Sequence, residues 1–257
     1  MNNLVIGNTS QLSYYFPDDY EKISSRNIQF TNKKYNRVYI CFAEQRTFIQ
    51  SDKKLFSDIN VDYTINIIKH FSKTSKNIII YGTSDLWNNY NGCIDISIPY
   101  DYKPSYYTDS KLLLIDIINK LYPNVIVFHP FNFNSIYRKP GFLFYKIFDS
   151  IINKKIITIG NTYFYRELLH PKFVVEQSIK MTCNNIIGSG RLIFVNDFIR
   201  NLYSYFNMKY EDFVIEDYKE NITTNEHIFY LKSKKVLYND IYNDTIQDIE
   251  KIKFKKE

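Results

Sequence analysis

The sequence predicts an α/β protein in which a parallel sheet is covered by helices on both faces. Short β-branched runs are apolar along nearly their whole length, as strands buried on both faces require. They alternate with longer stretches whose apolar residues recur at helical spacing. The chain of 257 residues, 45% hydrophobic and 23% charged, is long enough to bury a large core.

In order, "NLVIG" at 3–7 reads as the first strand and "YEKISS" at 20–25 as a weaker second. "RVYICF" at 37–42, "NIIIYG" at 77–82 and "NVIVFH" at 124–129 are strong strands. Between them, 58–73 places Ile59, Tyr63, Ile67 and Phe71 on one helix face. Residues 107–121 do the same with Leu114, Ile115, Ile118 and Leu121. After residue 131 the rhythm changes to a smaller mixed region, with helices expected over 142–152, 171–183 and 196–206 and a strand at "IITIG". The expected domains are therefore 1–131 and 132–257, with about 185–206 returning to the first.

Net charge is +6, with the lysines scattered apart from the terminal "KIKFKKE". No basic stripe or nucleic-acid module accompanies it, so a nucleic-acid partner is not expected; a mildly basic surface suits an anionic small substrate. Cys41, Cys93 and Cys183 are too few and too widely spaced for a disulfide framework or zinc site. No metal is expected, and a reducing cytoplasm fits. No signal peptide or apolar run of membrane-spanning length is visible, so no membrane partner is expected.

The turn after the first strand, "VIGNTSQLS", has glycine at Gly7 and serines at Ser10 and Ser13. A dinucleotide-binding turn needs small residues at these spacings, so that the backbone approaches a pyrophosphate at a helix N-terminus. Further on, "ISSRN" offers Ser24, Ser25 and Arg26 where such proteins read the ribose. An arginine without an acid there favours a 2′-phosphate. "YYTDSK" supplies Tyr107 and Lys111, one helical turn apart.

The order of these motifs resembles the extended short-chain dehydrogenase/reductases, in particular the nucleotide-sugar epimerases, dehydratases and ketoreductases. "YICFAEQ", "NVDYTINII", "IIIYGTSDLW", "VFHPFN", "YFYRELLHPKFVVEQS" and "NIIGSGRLIFVNDFI" continue the resemblance along most of the chain. It implies a Rossmann-like doubly wound sheet. It implies NADP(H) as cofactor, with NAD as alternative, held by Gly7, Asn8, Thr9, Ser10, Gln11, Leu12, Ser24, Ser25, Arg26, Phe42, Ala43, Asn60, Tyr81, Tyr107, Lys111, Pro130 and Phe131.

Tyr107 and Lys111 would be catalytic with Ser84, Thr83 being its neighbouring alternative. A free tyrosine has a pKa near 10; a nearby ammonium favours the phenolate and brings proton exchange closer to neutrality. Substrate contacts implied are Ser84, Asp85, Asn132, Arg166 and Arg191. The glutamate that follows the acid in the dehydratases is Leu86 here, which argues against dehydration. His129 stands where arginine is more usual and is read as structural.

One strand–helix unit is expected to be reduced, because the stretch from Gly7 to Ala43 is short for this family. The third strand would shrink to something like "NIQF". The expected activity is NADP-dependent reduction of a nucleotide-linked keto sugar of the 4-keto-6-deoxy type. The alternatives are an epimerase retaining NAD and a non-catalytic nucleotide-binding relative. A homodimer through helices near 58–73 and 107–121 is implied.

Overall fold

The computed structural model describes residues 2–26, 28–30, 32–46, 52–217 and 231–254. The chain divides into two compact units. The first comprises Met1–Tyr90, Ile94–Phe131 and Lys172–Ile187; the second comprises Asn91–Cys93, Asn132–Pro171 and Gly188–Glu257. The segment that rejoins the first unit is thus 172–187, where the sequence reading places it at about 185–206.

The first unit is built on β1 (Asn2–Ile6), β2 (Glu21–Ile23), β3 (Tyr35–Ile40), β4 (Ser75–Tyr81), β6 (Val125–Pro130) and β11 (Asn185–Ile187); a short β5 (Gly92–Ile94) lies between β4 and β6 in sequence. All the sheet pairings are parallel, in the order β11-β6-β4-β3-β1-β2. From β1 the chain moves one way to β2, then across to β3 and onward. With right-handed crossovers, that reversal sends connections to opposite faces of the sheet. It also makes the carboxyl ends of β1 and β3 the topological switch point, where open α/β sheets take their ligands. Leu4, Val5, Ile6, Val38, Ile78, Ile79, Val127 and Phe128 are fully or almost fully buried, which explains the unbroken apolar runs.

The expected strand "NIQF" does not form: residues 28–30 lie outside any strand, and Asn27 lies outside the described residues. A second departure follows β1. No α-helix begins there, only the single 3-10 turn Leu12–Tyr15. Phe16 precedes Pro17 and is extended (φ −70°, ψ 147°), as a residue before proline prefers, so the turn cannot propagate.

Helix α1 (Lys53–Ser57), capped by Asp52, runs through a π-helical turn, Asp58–Tyr63, into α2 (Thr64–Phe71). The wider turn breaks the predicted row: Ile67 and Phe71 are buried, Ile59 and Tyr63 only partly, and Asn60 and Val61 turn inward. Helix α3 (Tyr106–Leu121) starts at a capping box between Ser105 and Thr108. Leu114, Ile115 and Ile118 are buried as expected, but Leu121 is exposed. Helix α5 (Pro171–Lys180) is tied back to β3 by Arg37, whose Nη1 donates to the carbonyls of Ser178 and Ile179 at 3.2 and 2.7 Å.

The second unit holds α4 (Leu143–Asn153), α6 (Val195–Tyr205), α7 (Tyr210–Phe213) and α8 (Ile241–Lys253). Phe144, Ile147 and Ile151 of α4 share a core with Phe198, Ile199 and Leu202 of α6 and Ile246 and Ile249 of α8. Short strand pairs surround it. β7 (Asn132–Phe133) lies parallel to β10 (Leu168–Leu169), and β8 (Ile157–Ile159) parallel to β13 (Val214–Glu216). β9 (Tyr165–Arg166) runs antiparallel to β12 (Ile193–Phe194). β14 (Leu231–Ser233) precedes α8. Among the described residues no helix is long and apolar enough to cross a membrane.

Candidate active site

The carboxyl ends of the parallel strands gather most of the residues singled out in the sequence. Gly7 follows β1 with φ +105°, a backbone conformation that costs glycine little. A Cβ there would stand 3.3 Å from Phe42, so the turn also packs closely on the segment after β3. The amides of Gly7 and Asn8 both donate to the Ile23 carbonyl, at 2.9 and 3.1 Å. These two donors are committed to the end of β2. The helix N-terminus expected beyond them is replaced by the 3-10 turn that carries Leu12. Asn8 and Thr9 are exposed, Ser10 is half-buried, and Gln11 and Leu12 are buried.

Ser24 and Ser25 are half-buried and Arg26 is exposed, its amide donating to Ser24 Oγ at 3.1 Å. Tyr63, which the sequence reading did not single out for a site, joins this stretch to the next. Its hydroxyl donates to the Ser25 carbonyl, and its ring lies 5.6 Å from that of Phe42. A tyrosine on a helical row carries no sequence signal of such a tie. Phe42 and Ala43 are half-buried.

Asn60 is buried, and its amide is fully engaged with the protein. Its Oδ1 accepts from the Glu44 amide (2.7 Å); its Nδ2 donates to the Glu44 carbonyl (3.1 Å) and to Ser110 Oγ (3.0 Å). One side chain thus pins the segment after β3 to the N-terminal third of α3, at Ser110 beside Lys111.

The catalytic candidates come from β4 and α3. Tyr81 ends β4; Gly82 and Thr83 lead to the 3-10 turn Ser84–Trp87, and the Thr83 side chain caps it by accepting from the Asp85 amide at 3.1 Å. Helix α3 packs on this turn. Lys111 is almost completely buried, and its ammonium donates to the Tyr81 carbonyl at 2.7 Å and lies 5.9 Å from the Tyr107 ring. Burial pulls its pKa down to about 8. Tyr107, Thr83 and Ser84 are buried, and Asp85 is half-buried. Leu86 is fully buried, where a carboxylate would be costly. The chemistry available is a cation of depressed pKa beside the Tyr107 ring, on a helix that packs on the turn bearing Ser84, at the end of a parallel sheet.

His129 supports the Ser84 turn from β6. Its Nδ1 lies 3.3 Å from the Thr83 carbonyl, and burial pushes its pKa down to about 4, so the ring is neutral at physiological pH. A Cβ on residue 82 would stand 2.7 Å from that Nδ1, which makes glycine the fitting residue there. Pro130 and Phe131 are buried at the end of β6, and the Phe131 amide donates to the Ile187 carbonyl at 3.0 Å.

Asn132, Arg166 and Arg191 belong to the second unit, and all three are exposed. Arg166 pairs across the β9–β12 ladder with Ile193, two residues after Arg191. Its guanidinium lies 4.9 Å from the Phe164 ring. Next to Arg166 in sequence is a buried carboxylate that the sequence reading passed over, Glu167. Among the described residues no cluster of three or more metal-ligating side chains occurs.

No family model matches the sequence, and no curated protein matches it. Solved structures do match its fold. RMD from Pseudomonas aeruginosa, complexed with NADPH, is 12% identical with a TM-score of 0.77, over 100% of both chains. UDP-N-acetylglucosamine 4-epimerase from Methanobrevibacter ruminantium is 12% identical with a TM-score of 0.77, over 100% of this chain and 99% of that one. DesIV, a dTDP-glucose 4,6-dehydratase from Streptomyces venezuelae with NAD bound, is 12% identical with a TM-score of 0.76, over 97% and 96%. At this identity the likeness is one of fold: a Rossmann-like α/β architecture with a smaller second unit.

Proposed function

We propose that this chain is an NADP-dependent reductase of the extended short-chain dehydrogenase/reductase type, acting on a nucleotide-linked keto sugar of the 4-keto-6-deoxy class. The observation that carries this reading is Lys111, buried against the Tyr81 carbonyl and beside the Tyr107 ring, on a helix packed against the turn that bears Ser84. Solved structures of the same fold are complexed with NADPH, NAD or a nucleotide sugar.

The bound cofactor would supply hydride to the carbonyl carbon. Tyr107 donates the proton to the carbonyl oxygen, and Ser84 hydrogen-bonds that same oxygen. The Lys111 ammonium favours the phenolate left behind. His129, neutral, holds the Thr83 carbonyl and so steadies the turn that presents Ser84. Arg166 and Arg191 take the diphosphate through charge-assisted hydrogen bonds, with Asn132 adding a neutral donor. Leu86 in place of an acid supports reduction over dehydration.

Arg26 beside Ser24 and Ser25, with no carboxylate in that stretch, favours NADPH over NADH. Calorimetry on cofactor-stripped protein is expected to show that preference. Arg26→Ala should weaken NADPH by roughly 10- to 100-fold, the worth of a charge-assisted hydrogen bond, and leave NADH within about twofold. Equal losses for both cofactors would take the phosphate-reading role away from Arg26. NAD retained through purification would favour the epimerase instead.

We further propose a homodimer through α2 and α3. Tyr106, Leu113 and Leu121 are exposed and form one stripe along α3. Sedimentation should give twice the chain mass for the wild type and a monomer for Leu113→Asp; a wild-type monomer would refute the proposed dimer.

A further inference from the structure

Glu167 is fully buried in the second unit, yet the proposed chemistry gives it no task. Its Oε1 accepts from the amides of Ser189 and Gly190, the latter at 3.0 Å, and its Oε2 accepts from the Ser233 amide at 2.7 Å. These donors come from two segments far apart in sequence. Ser189 and Gly190 present successive N–H groups, with Gly190 at φ +70°, the local geometry of a backbone anion nest. The segment after β14 closes over that turn. The Leu237 amide donates to the Ser189 carbonyl at 3.1 Å, and a Cβ on Gly190 would stand 2.9 Å from the Lys235 carbonyl. The carboxylate is thus a pin joining three stretches of backbone. Both arginines proposed for the substrate diphosphate are attached to it: Arg166 is its neighbour in sequence, and Arg191 follows the Ser189–Gly190 nest, its amide donating to Ser189 Oγ at 3.3 Å.

We infer that Glu167 is a positioning residue for substrate binding, an internal anion that fixes the 188–191 turn and with it the spacing of Arg166 and Arg191. The inference rests on the proposed role of those arginines. Burial raises the Glu167 pKa only to about 6, because the backbone amides oppose the cost of desolvation; at neutral pH it is a carboxylate with acceptor capacity on both oxygens. An amide in its place keeps the shape but turns an N–H₂ group toward a backbone N–H on one side. That side of the pin is lost, and the turn is freed to move.

The test uses the full chain and a panel of UDP, dTDP and GDP as probes, with NADPH binding as a control. Glu167→Gln is expected to weaken the nucleoside diphosphate that binds wild type best by at least about tenfold, an effect of the size expected for a charged hydrogen-bond acceptor. NADPH affinity should stay within twofold, and Glu167→Asp should fall between the two. In the wild-type chain the coupling is readable without a substitution, because linkage is reciprocal: a saturating diphosphate should increase hydrogen-exchange protection at the amides of Ser189, Gly190 and Ser233. Unchanged diphosphate affinity in Glu167→Gln, or unchanged protection on diphosphate binding, overturns the positioning role and leaves the proposed reaction standing. A wild-type chain that binds NADPH but none of the three diphosphates overturns the nucleotide-sugar reading, and the inference falls with it.

Discussion

Tyr107→Phe is expected to lower turnover by roughly 10²- to 10⁴-fold, the range for loss of a positioned proton donor. The ring remains to fill its buried place on α3, so the fold should tolerate the change. NADPH affinity should also hold, because the hydroxyl acts on the carbonyl under reduction. A loss confined to kcat marks an interaction made in the transition state. Turnover near the wild-type rate would remove Tyr107 from the mechanism, and a parallel loss of NADPH binding would make the implied cofactor contact, rather than proton donation, its main role.

The second large effect concerns Lys111, where function and stability are expected to oppose one another. Its ammonium is buried against a single carbonyl, and burial lowers its pKa from 10.5 to about 8. A cation whose folded pKa lies below its unfolded value carries its full penalty below the folded pKa. The penalty is relieved as pH rises toward the unfolded value, because in that window the unfolded chain binds more protons. Wild-type stability should therefore rise between about pH 8 and about pH 10.4 through this group.

At neutral pH the penalty is about 3 kcal/mol, converting the shift at 1.36 kcal/mol per unit. Lys111→Met recovers it, less about 1 kcal/mol for the Tyr81 carbonyl left without its donor, for a net stabilisation of about 2 kcal/mol. The same variant should lose at least about 100-fold in turnover. Urea unfolding at about pH 7 and about pH 9.5 would show the variant ahead at the lower pH and the gap closing at the higher. A variant less stable than wild type at neutral pH would mean that Lys111 is held by more than its burial suggests.

The strands were legible because both faces of the sheet are covered, which leaves little room for polar residues in Leu4–Ile6 or Ile78–Ile80. The helices after β3 and β4 were legible from their apolar periodicity, with two flaws: Leu121, counted on the apolar face of α3, is exposed, and the row along 58–73 is broken. The π-helical turn at Asp58–Tyr63 widens the helix locally and brings Asn60 inward to bridge Glu44 and Ser110, and no 3.6-residue count anticipates that. The 3-10 turn after β1 was not anticipated: the expectation of a pyrophosphate-binding helix rested on Gly7, Ser10 and Ser13 and left out Pro17, which follows the turn and stops it. "NIQF" has the composition of a strand, but its described residues 28–30 lie outside any strand. The returning segment was misplaced because α5 and α6 are both amphipathic, and periodicity does not say which core a helix faces.

Among the candidate residues, the spacing of Tyr107 and Lys111 put them one turn apart on one helix, and the fold brings Lys111 to the Tyr81 carbonyl at the end of β4. Asn60 was singled out as a cofactor contact, yet its amide is occupied by protein groups. Its side chain sets where the loop after β3 meets α3. Glu167 was missed because a glutamate beside an arginine looks like an exposed ion pair. Its value depends on amides contributed by residues 189, 190 and 233, which only the folded chain assembles.

The most direct measurement is oxidation of NADPH, followed by its nicotinamide absorbance, on mixing the wild-type chain with 4-keto-6-deoxy sugars linked to UDP, dTDP or GDP. Oxidation stoichiometric with one of these sugars, abolished in Tyr107→Phe and slower with NADH, is the expected result. NADPH that binds but is oxidised by none of them would contradict the keto-sugar reductase proposed here.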